Sequence, residues 1–170
     1  MTYIHRTRSL TERDYWATPV QVVESISKVM GSKPAADLAA TPENAKAYIY
    51  FTEEDDLLSL HPATLARKFG RRWVWLNPPY SRGNLPAFTE WANRYVEAGG
   101  EIVLLMPTSH GTNYFQKNVR PYAKRLLLAA RRIKFVAPDG VDAVRAPGDT
   151  YAIHMTNRNI PHEFIYFDVD

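Results

Sequence analysis

The sequence predicts an α/β fold with a largely parallel sheet, and three observations carry that prediction. Short apolar runs of β-prone residues alternate along the chain with stretches whose apolar residues recur at helical spacing. The run Glu101-Ile102-Val103-Leu104-Leu105-Met106 is apolar without alternation after its first residue, as a strand buried on both faces of a parallel sheet must be. Finally, 170 residues, 45% of them hydrophobic, suffice for one good core and not for two ordinary domains. Residues 1–170 are therefore read as one domain, with 1–13, polar and charged with both signs, as a flexible tail.

Taken in order, the first ordered element is a helix after Thr18. Thr18 is its expected cap, Pro19 fits its first turn, and Gln21 completes a Thr-x-x-Gln capping box. Val20, Val23, Ile26 and Met30 continue it, and Gly31 stops it. Residues 35–40 read as a short buried strand ending in a loop, Thr41-Pro42-Glu43-Asn44 as a second helix start, and 48–51 as another short strand. Trp73-Val74-Trp75-Leu76 is a clearer strand, which must leave the sheet at Asn77-Pro78-Pro79 because consecutive prolines cannot continue a central ladder. Phe88, Trp91, Ala92 and Tyr95 place a helix over 85–98, terminated by Gly99-Gly100. After the strand at 101–106 come a helix over about 112–123 and strands over 125–130 and 133–136. A final pair of strands over 151–155 and 164–167 is expected to be antiparallel, and 139–149, rich in Pro, Gly and charge, to be a mobile loop.

Composition narrows the function classes. The absence of cysteine excludes disulfides and thiolate metal sites and points to a reducing cytoplasm. The five histidines show no ligand spacing, so no metal is expected. No apolar run approaches the roughly 20 residues of a membrane span, and residues 1–13 lack the apolar core of a signal peptide. A net charge of +3 permits a nucleic-acid partner without demanding one. The distribution is more informative. Acids gather at Glu53-Glu54-Asp55-Asp56, and bases at Arg71-Arg72, 120–125 and Arg131-Arg132-Ile133-Lys134.

Asn77-Pro78-Pro79-Tyr80 carries the chemistry. In an open α/β sheet, ligands bind beyond the carboxyl ends of the strands, where this tetrapeptide falls. The lone pair of an aromatic amine is delocalised into its ring, which makes the amine a poor nucleophile. Two acceptors, the Asn77 carboxamide oxygen and the Pro78 carbonyl, can bind its two N–H groups and draw the nitrogen toward tetrahedral geometry. Pro79 stiffens the segment, and Tyr80 offers a flat face for a base turned out of its stack. Methyl transfer from a sulfonium then requires no general base, covalent intermediate or metal.

This tetrapeptide after an apolar strand resembles the catalytic motif of amino-methyltransferases, and the rest of the chain is similar to the phage-type DNA N6-adenine methyltransferases. Asp14-Tyr15-Trp16-Ala17-Thr18-Pro19 resembles that family's Asp-x-Trp-x-Thr-Pro. Residues 37–40 with 42–45 look like its first cofactor loop, 50–57 like its acidic stretch, and Arg132-Ile133-Lys134-Phe135 like a downstream element. The resemblance implies a Rossmann-like class I fold, a mostly parallel sheet with helices on both faces and an antiparallel C-terminal strand, binding S-adenosylmethionine. It implies that Trp16, Thr18 and Pro19 hold the cofactor's methionine end, with its carboxylate at a helix N-terminus. Asp37 falls near the methionine amino group, Ala39 in the cofactor loop, Asn44 near the ribose, and Asp55 or Asp56 near the cofactor's adenine amine. The loop carries alanines where many methyltransferases have glycine, and residue 131 is Arg where the family often has Gly.

For the acceptor, the resemblance implies DNA, read here as duplex, bound by a monomer in the cytoplasm. Ser81, Arg82, Arg131, Arg132 and Lys134 are the candidate DNA contacts, with reading of the target left to 81–86, 110–117 and 139–149. Lys117, Arg120, Lys124 and Arg125 read instead as the polar face of a helix. Three alternatives stay open: a different amine, in RNA or a protein glutamine; cytosine N4; and a DNA-binding decoy without catalysis.

Overall fold

A computed structural model of the chain describes residues 12–81, 83–138, 140 and 149–169, with side chains from residue 14. Its centre is a five-stranded sheet of β1 (Trp73–Leu76), β2 (Glu101–Pro107), β3 (Ala123–Ala129), β4 (Thr150–Met155) and β5 (Glu163–Phe167), in the order β1-β2-β4-β3-β5. β1 is parallel to β2 and β3 to β5, while β4 runs against both its neighbours. Four strands thus share one direction, and their carboxyl ends open on one edge. The last two strands are not the antiparallel pair the sequence suggests. β4 is buried on both faces from Tyr151 to Met155 and so takes an interior place, whereas Phe164 and Tyr166 leave one side of β5 exposed, which suits an edge.

Two short segments extend the sheet beyond β1. Ala35 N donates to Trp73 O at 2.8 Å and Leu38 N to Trp75 O at 2.9 Å, so residues 35–38 run parallel to β1. On their far side, Asp37 N donates to Ile49 O and Phe51 N to Asp37 O, both at 2.9 Å. The helix expected from Thr41 is a single turn, because the Asn44 carboxamide accepts Thr41 N at 2.8 Å and competes with helix propagation. The helix over 112–123 shrinks to a short stretch ending in a π-helical turn, Phe115–Val119, since Pro121 cannot supply the next N–H. Residues 133–136 form no strand; Val136 makes one bridge to Ala17. Arg125 lies on β3, not on a helix, and pairs with Glu163 at 2.7 Å.

Helices cover both faces. α1 (Val20–Met30) presents Val22, Val23 and Ile26 to Trp73, Trp75, Val103 and Leu105. On the other face, α2 (Pro62–Phe69) and α3 (Asn84–Glu97) bury Leu65, Phe69, Trp91 and Tyr95 against Val74, Leu76, Ile102 and Leu104. The alternation along β1 and β2 supplies a different set of side chains to each core. α2 escapes a reading by periodicity because its eight residues make barely two turns. The two glycines after α3 serve different ends. Gly99 takes φ 97°, while a Cβ on Gly100 would lie 2.2 Å from Cε1 of the buried Tyr95 ring.

The capping box predicted at α1 does not form. Pro19 occupies the cap position without a side-chain hydrogen bond to the helix, and the Thr18 hydroxyl is used elsewhere. Among the described residues, no helix is long and apolar enough to cross a membrane, and no group of three or more His, Cys, Asp or Glu is placed to hold a metal. Residues 1–11, Arg82 and most of 139–149, and so most of the expected tail and of the expected mobile loop, lie outside the described residues.

Candidate active site

Three chain segments end together at the carboxyl edge of the sheet, on the face covered by α1. β1 delivers Asn77 immediately after Leu76, on the same side as Trp73 and Trp75 by strand alternation. The 35–38 segment delivers Asp37 beside Trp75. Residues 14–18 cross above them toward the start of α1. Between them lies a small cleft, partly open to solvent.

Of the predicted site residues, Trp16, Thr18, Asp37, Ala39, Asn44 and Asn77 line this cleft together. Pro19 adjoins it as the cap of α1, whose first turn carries no acidic side chain and no side-chain cap. Asp14, Ala17, Lys46 and Trp75 also line the cleft, and sequence reasoning assigned none of them a role there. Asp14 and Ala17 carried a signal, because they belong to the Asp-x-Trp-x-Thr-Pro segment. Trp75 reads as core, and at 1% exposure it is core as well as wall. Lys46 is a single loop lysine with no sequence pattern around it.

Asp37 is the buried acid of the cleft, 2% exposed. Burial pushes its carboxyl up to about 6, against the pull of backbone N–H bonds from Lys46 at 3.0 Å and Ala39 at 3.3 Å. Lys46, half-buried, donates from its ammonium to the Asn44 carbonyl, and burial holds its pKa below the usual lysine range. Asn44 closes its own turn through Thr41.

Asn77 is gripped at both ends of its carboxamide. Its Nδ2 donates to Thr18 Oγ1 at 3.1 Å, and its Oδ1 accepts the Tyr80 hydroxyl at 2.8 Å. The same hydroxyl lies 3.3 Å from Leu105 O, and burial raises the phenol's pKa, so Tyr80 stays a neutral donor. Pro78 is buried and Pro79 half-buried. Ser81 N donates to the Asp14 carboxylate at 2.9 Å, while Ser81 Oγ accepts from Asn84 at 2.7 Å.

Asp55 and Asp56 are not among the residues lining the cleft. The exposed Asp55 carboxylate accepts Thr52 N at 2.7 Å and Thr52 Oγ1 at 3.0 Å, and these bonds hold its pKa below the ordinary range. Asp56 takes φ 45° at the start of a short 3-10 turn. The Tyr15 hydroxyl, 3.3 Å from Glu53, links this acidic turn to the segment crossing the cleft.

Arg131, Arg132 and Lys134 are exposed and follow the carboxyl end of β3. Between them Ile133 is buried, as is Phe135 after them, which turns Arg132 and Lys134 outward. Arg132 reaches Asp149 at 3.2 Å, with both side chains largely in solvent. Ala17 and Val136 exchange backbone bonds of 2.8 and 2.9 Å, tying this basic segment to the wall of the cleft.

Known proteins resemble this chain. Residues 6–164 match the family described as DNA N-6-adenine-methyltransferase (Dam). A DNA N-6-adenine-methyltransferase of Escherichia phage T1 is 33% identical over 104 residues, a region covering 61% of this chain and 40% of that protein. A DNA N-6-adenine-methyltransferase of Haemophilus phage HP1 is 27% identical over 126 residues, covering 74% of this chain and 68% of that protein.

Proposed function

Since the chain belongs to the DNA N-6-adenine-methyltransferase (Dam) family, we propose that it methylates N6 of adenine in DNA with S-adenosylmethionine as the methyl donor, on a Rossmann-like class I fold. The observation that carries this reading is the position of Asn77. It is at once a wall of the cleft and the first residue of the Asn-Pro-Pro-Tyr segment, so cofactor and acceptor sites meet at one carboxamide.

The cleft fits the cofactor. Asp37 is a buried carboxylate pushed up to about 6 by desolvation, which the Lys46 ammonium and two backbone N–H groups offset only in part, and it suits the amino group of an amino acid. The first N–H groups of α1 lack a side-chain cap and offer a seat for the carboxylate, beside Thr18, Pro19 and Trp16. Asn44 serves the ribose, and Ala39 admits the ligand close to the backbone. The adenine end is left to the acidic turn, with Asp55 or Asp56 as the acceptor. When bound, the cofactor supplies an electrophilic methyl on a cationic sulfonium.

The chain's own residues prepare the acceptor. Asn77 Oδ1 has one lone pair engaged by Tyr80 and keeps another for a target N–H, and the Pro78 carbonyl accepts the second. The Tyr80 ring stacks on the base once it is turned out of the duplex. Arg131, Arg132 and Lys134 bind the phosphates, with Ser81 and Arg82 as further contacts.

Transfer of labelled methyl to DNA lacking adenine methylation, followed by nucleoside identification, tests the proposal. N6-methyladenine is expected, and Asn77→Ala should lower turnover at least about 100-fold with cofactor affinity nearly unchanged. Methylcytosine as the product, or full turnover in Asn77→Ala, would refute it.

A further inference from the structure

We infer that Asp14 and Thr18 are positioning residues that clamp the Asn77–Ser81 segment from both ends, Thr18 through the Asn77 carboxamide and Asp14 through the Ser81 N–H. The inference rests on the proposed methyl transfer for its functional meaning and on geometry for its existence. Thr18 is 3% exposed, and its Oγ1 stands 3.1 Å from Asn77 Nδ2. Four residues earlier, the Asp14 carboxylate accepts Ser81 N at 2.9 Å. The two contacts bracket Pro78, Pro79 and Tyr80. Proline has no N–H, so two consecutive positions of the bracketed loop can donate nothing to a neighbouring backbone, and side chains take over the tethering.

The clamp is itself anchored. Between its two jaws, Ala17 pairs with Val136 in both directions, and beyond Thr18 the chain enters α1. Residues 14–18 are therefore stiff enough to define where Asn77 sits. The Thr18 contact also fixes the position of the carboxamide. With Nδ2 held by Thr18, Oδ1 points to the Tyr80 hydroxyl and is the atom left to accept from an amine. A flipped amide would meet the amine donor to donor. The uncapped start of α1 follows from the same contact, because the residue whose type suits a helix cap has its hydroxyl directed at the catalytic segment.

Thr18→Val keeps the shape and removes the hydroxyl; Thr18→Ser restores it. Asp14→Ala removes the acceptor, and Asp14→Asn keeps one. The expected result is a kcat lowered roughly 10- to 100-fold in Thr18→Val and Asp14→Ala, with a cofactor Kd by calorimetry within about threefold of the parent in Asp14→Ala. Thr18→Ser recovers most of the loss, and Asp14→Asn loses less than Asp14→Ala. Thermal unfolding confirms that each variant is folded. A raised cofactor Kd at unchanged kcat would make Thr18 a ligand contact and overturn the inference, as would parent-like kinetics in both removals. A readout independent of activity is hydrogen exchange at the Asn77 side-chain amide by NMR, which Thr18→Val should accelerate. If the parent chain transfers no methyl to DNA, the proposed function fails alone, and unchanged exchange in Thr18→Val is the result that overturns the clamp.

Discussion

On the proposed function, Asp37 makes cofactor binding depend on pH in a direction and window that its burial sets. Its carboxyl is pushed up to about 6 by desolvation, with two backbone donors pulling the other way. A cationic amino group binds the ionised carboxylate. Around pH 7 about nine tenths of the population is ionised and ready; around pH 5 about one tenth is. Cofactor affinity should therefore weaken about tenfold from pH 7 to pH 5, with its midpoint near 6. No histidine is among the residues lining the cleft, and burial lowers the pKa of Lys46 from the usual lysine value. The unliganded protein should show the opposite trend. A raised carboxyl pKa favours the folded state when protonated, so this contribution, on the order of 3 kcal/mol, is fully present below about pH 4 and is lost as pH rises through about 6. Calorimetry at half-unit intervals from pH 5 to 7.5 measures the first effect, and Asp37→Asn should flatten it. A dissociation constant that is level across this range, or tighter at low pH, would refute the role given to Asp37.

Two further outcomes follow from packing and charge. Gly100→Ala places a methyl inside the Tyr95 ring, which is buried and stacked on Trp91 with centroids 5.3 Å apart; urea unfolding should show a loss of about 1–3 kcal/mol with the cofactor site otherwise intact. The combined change Arg132→Glu and Lys134→Glu should weaken DNA binding and reduce the slope of log affinity against log salt by about 2; an unchanged slope would remove these side chains from the phosphate interface. Because the Arg132–Asp149 pair is solvent-exposed, releasing it should cost little stability.

Much of the architecture was legible in the residues themselves. β1 falls where Trp73-Val74-Trp75-Leu76 and the following prolines put it, β2 where the apolar run does, and α1 and α3 where helical spacing does. Each is governed by local chemistry: a chain that must bury both faces, a proline that cannot pair, a repeat that matches one side of a helix. The role proposed for the tetrapeptide comes from the same kind of reasoning, since the chemistry of an amine restricts which neighbours can receive it. Where local signals were weak or contested, the reading erred. The Thr41 turn and the shortened helix before Pro121 hinge on one side-chain bond and one missing donor, while the 133–136 segment makes a single bridge at Val136 in place of a strand.

What only the tertiary structure decided is long-range. The place of β4 between β2 and β3 rests on pairings with strands distant in sequence, which its own residues do not specify. Lys46 and Trp75 join the cleft because three segments distant in sequence end at one sheet edge. The partner of the Thr18 hydroxyl is the sharpest case. By sequence it caps the helix that follows; in the fold it accepts a hydrogen bond from Asn77, 59 residues away. A hydroxyl takes the partner that the surrounding packing brings within reach, and no spacing along the chain encodes that choice.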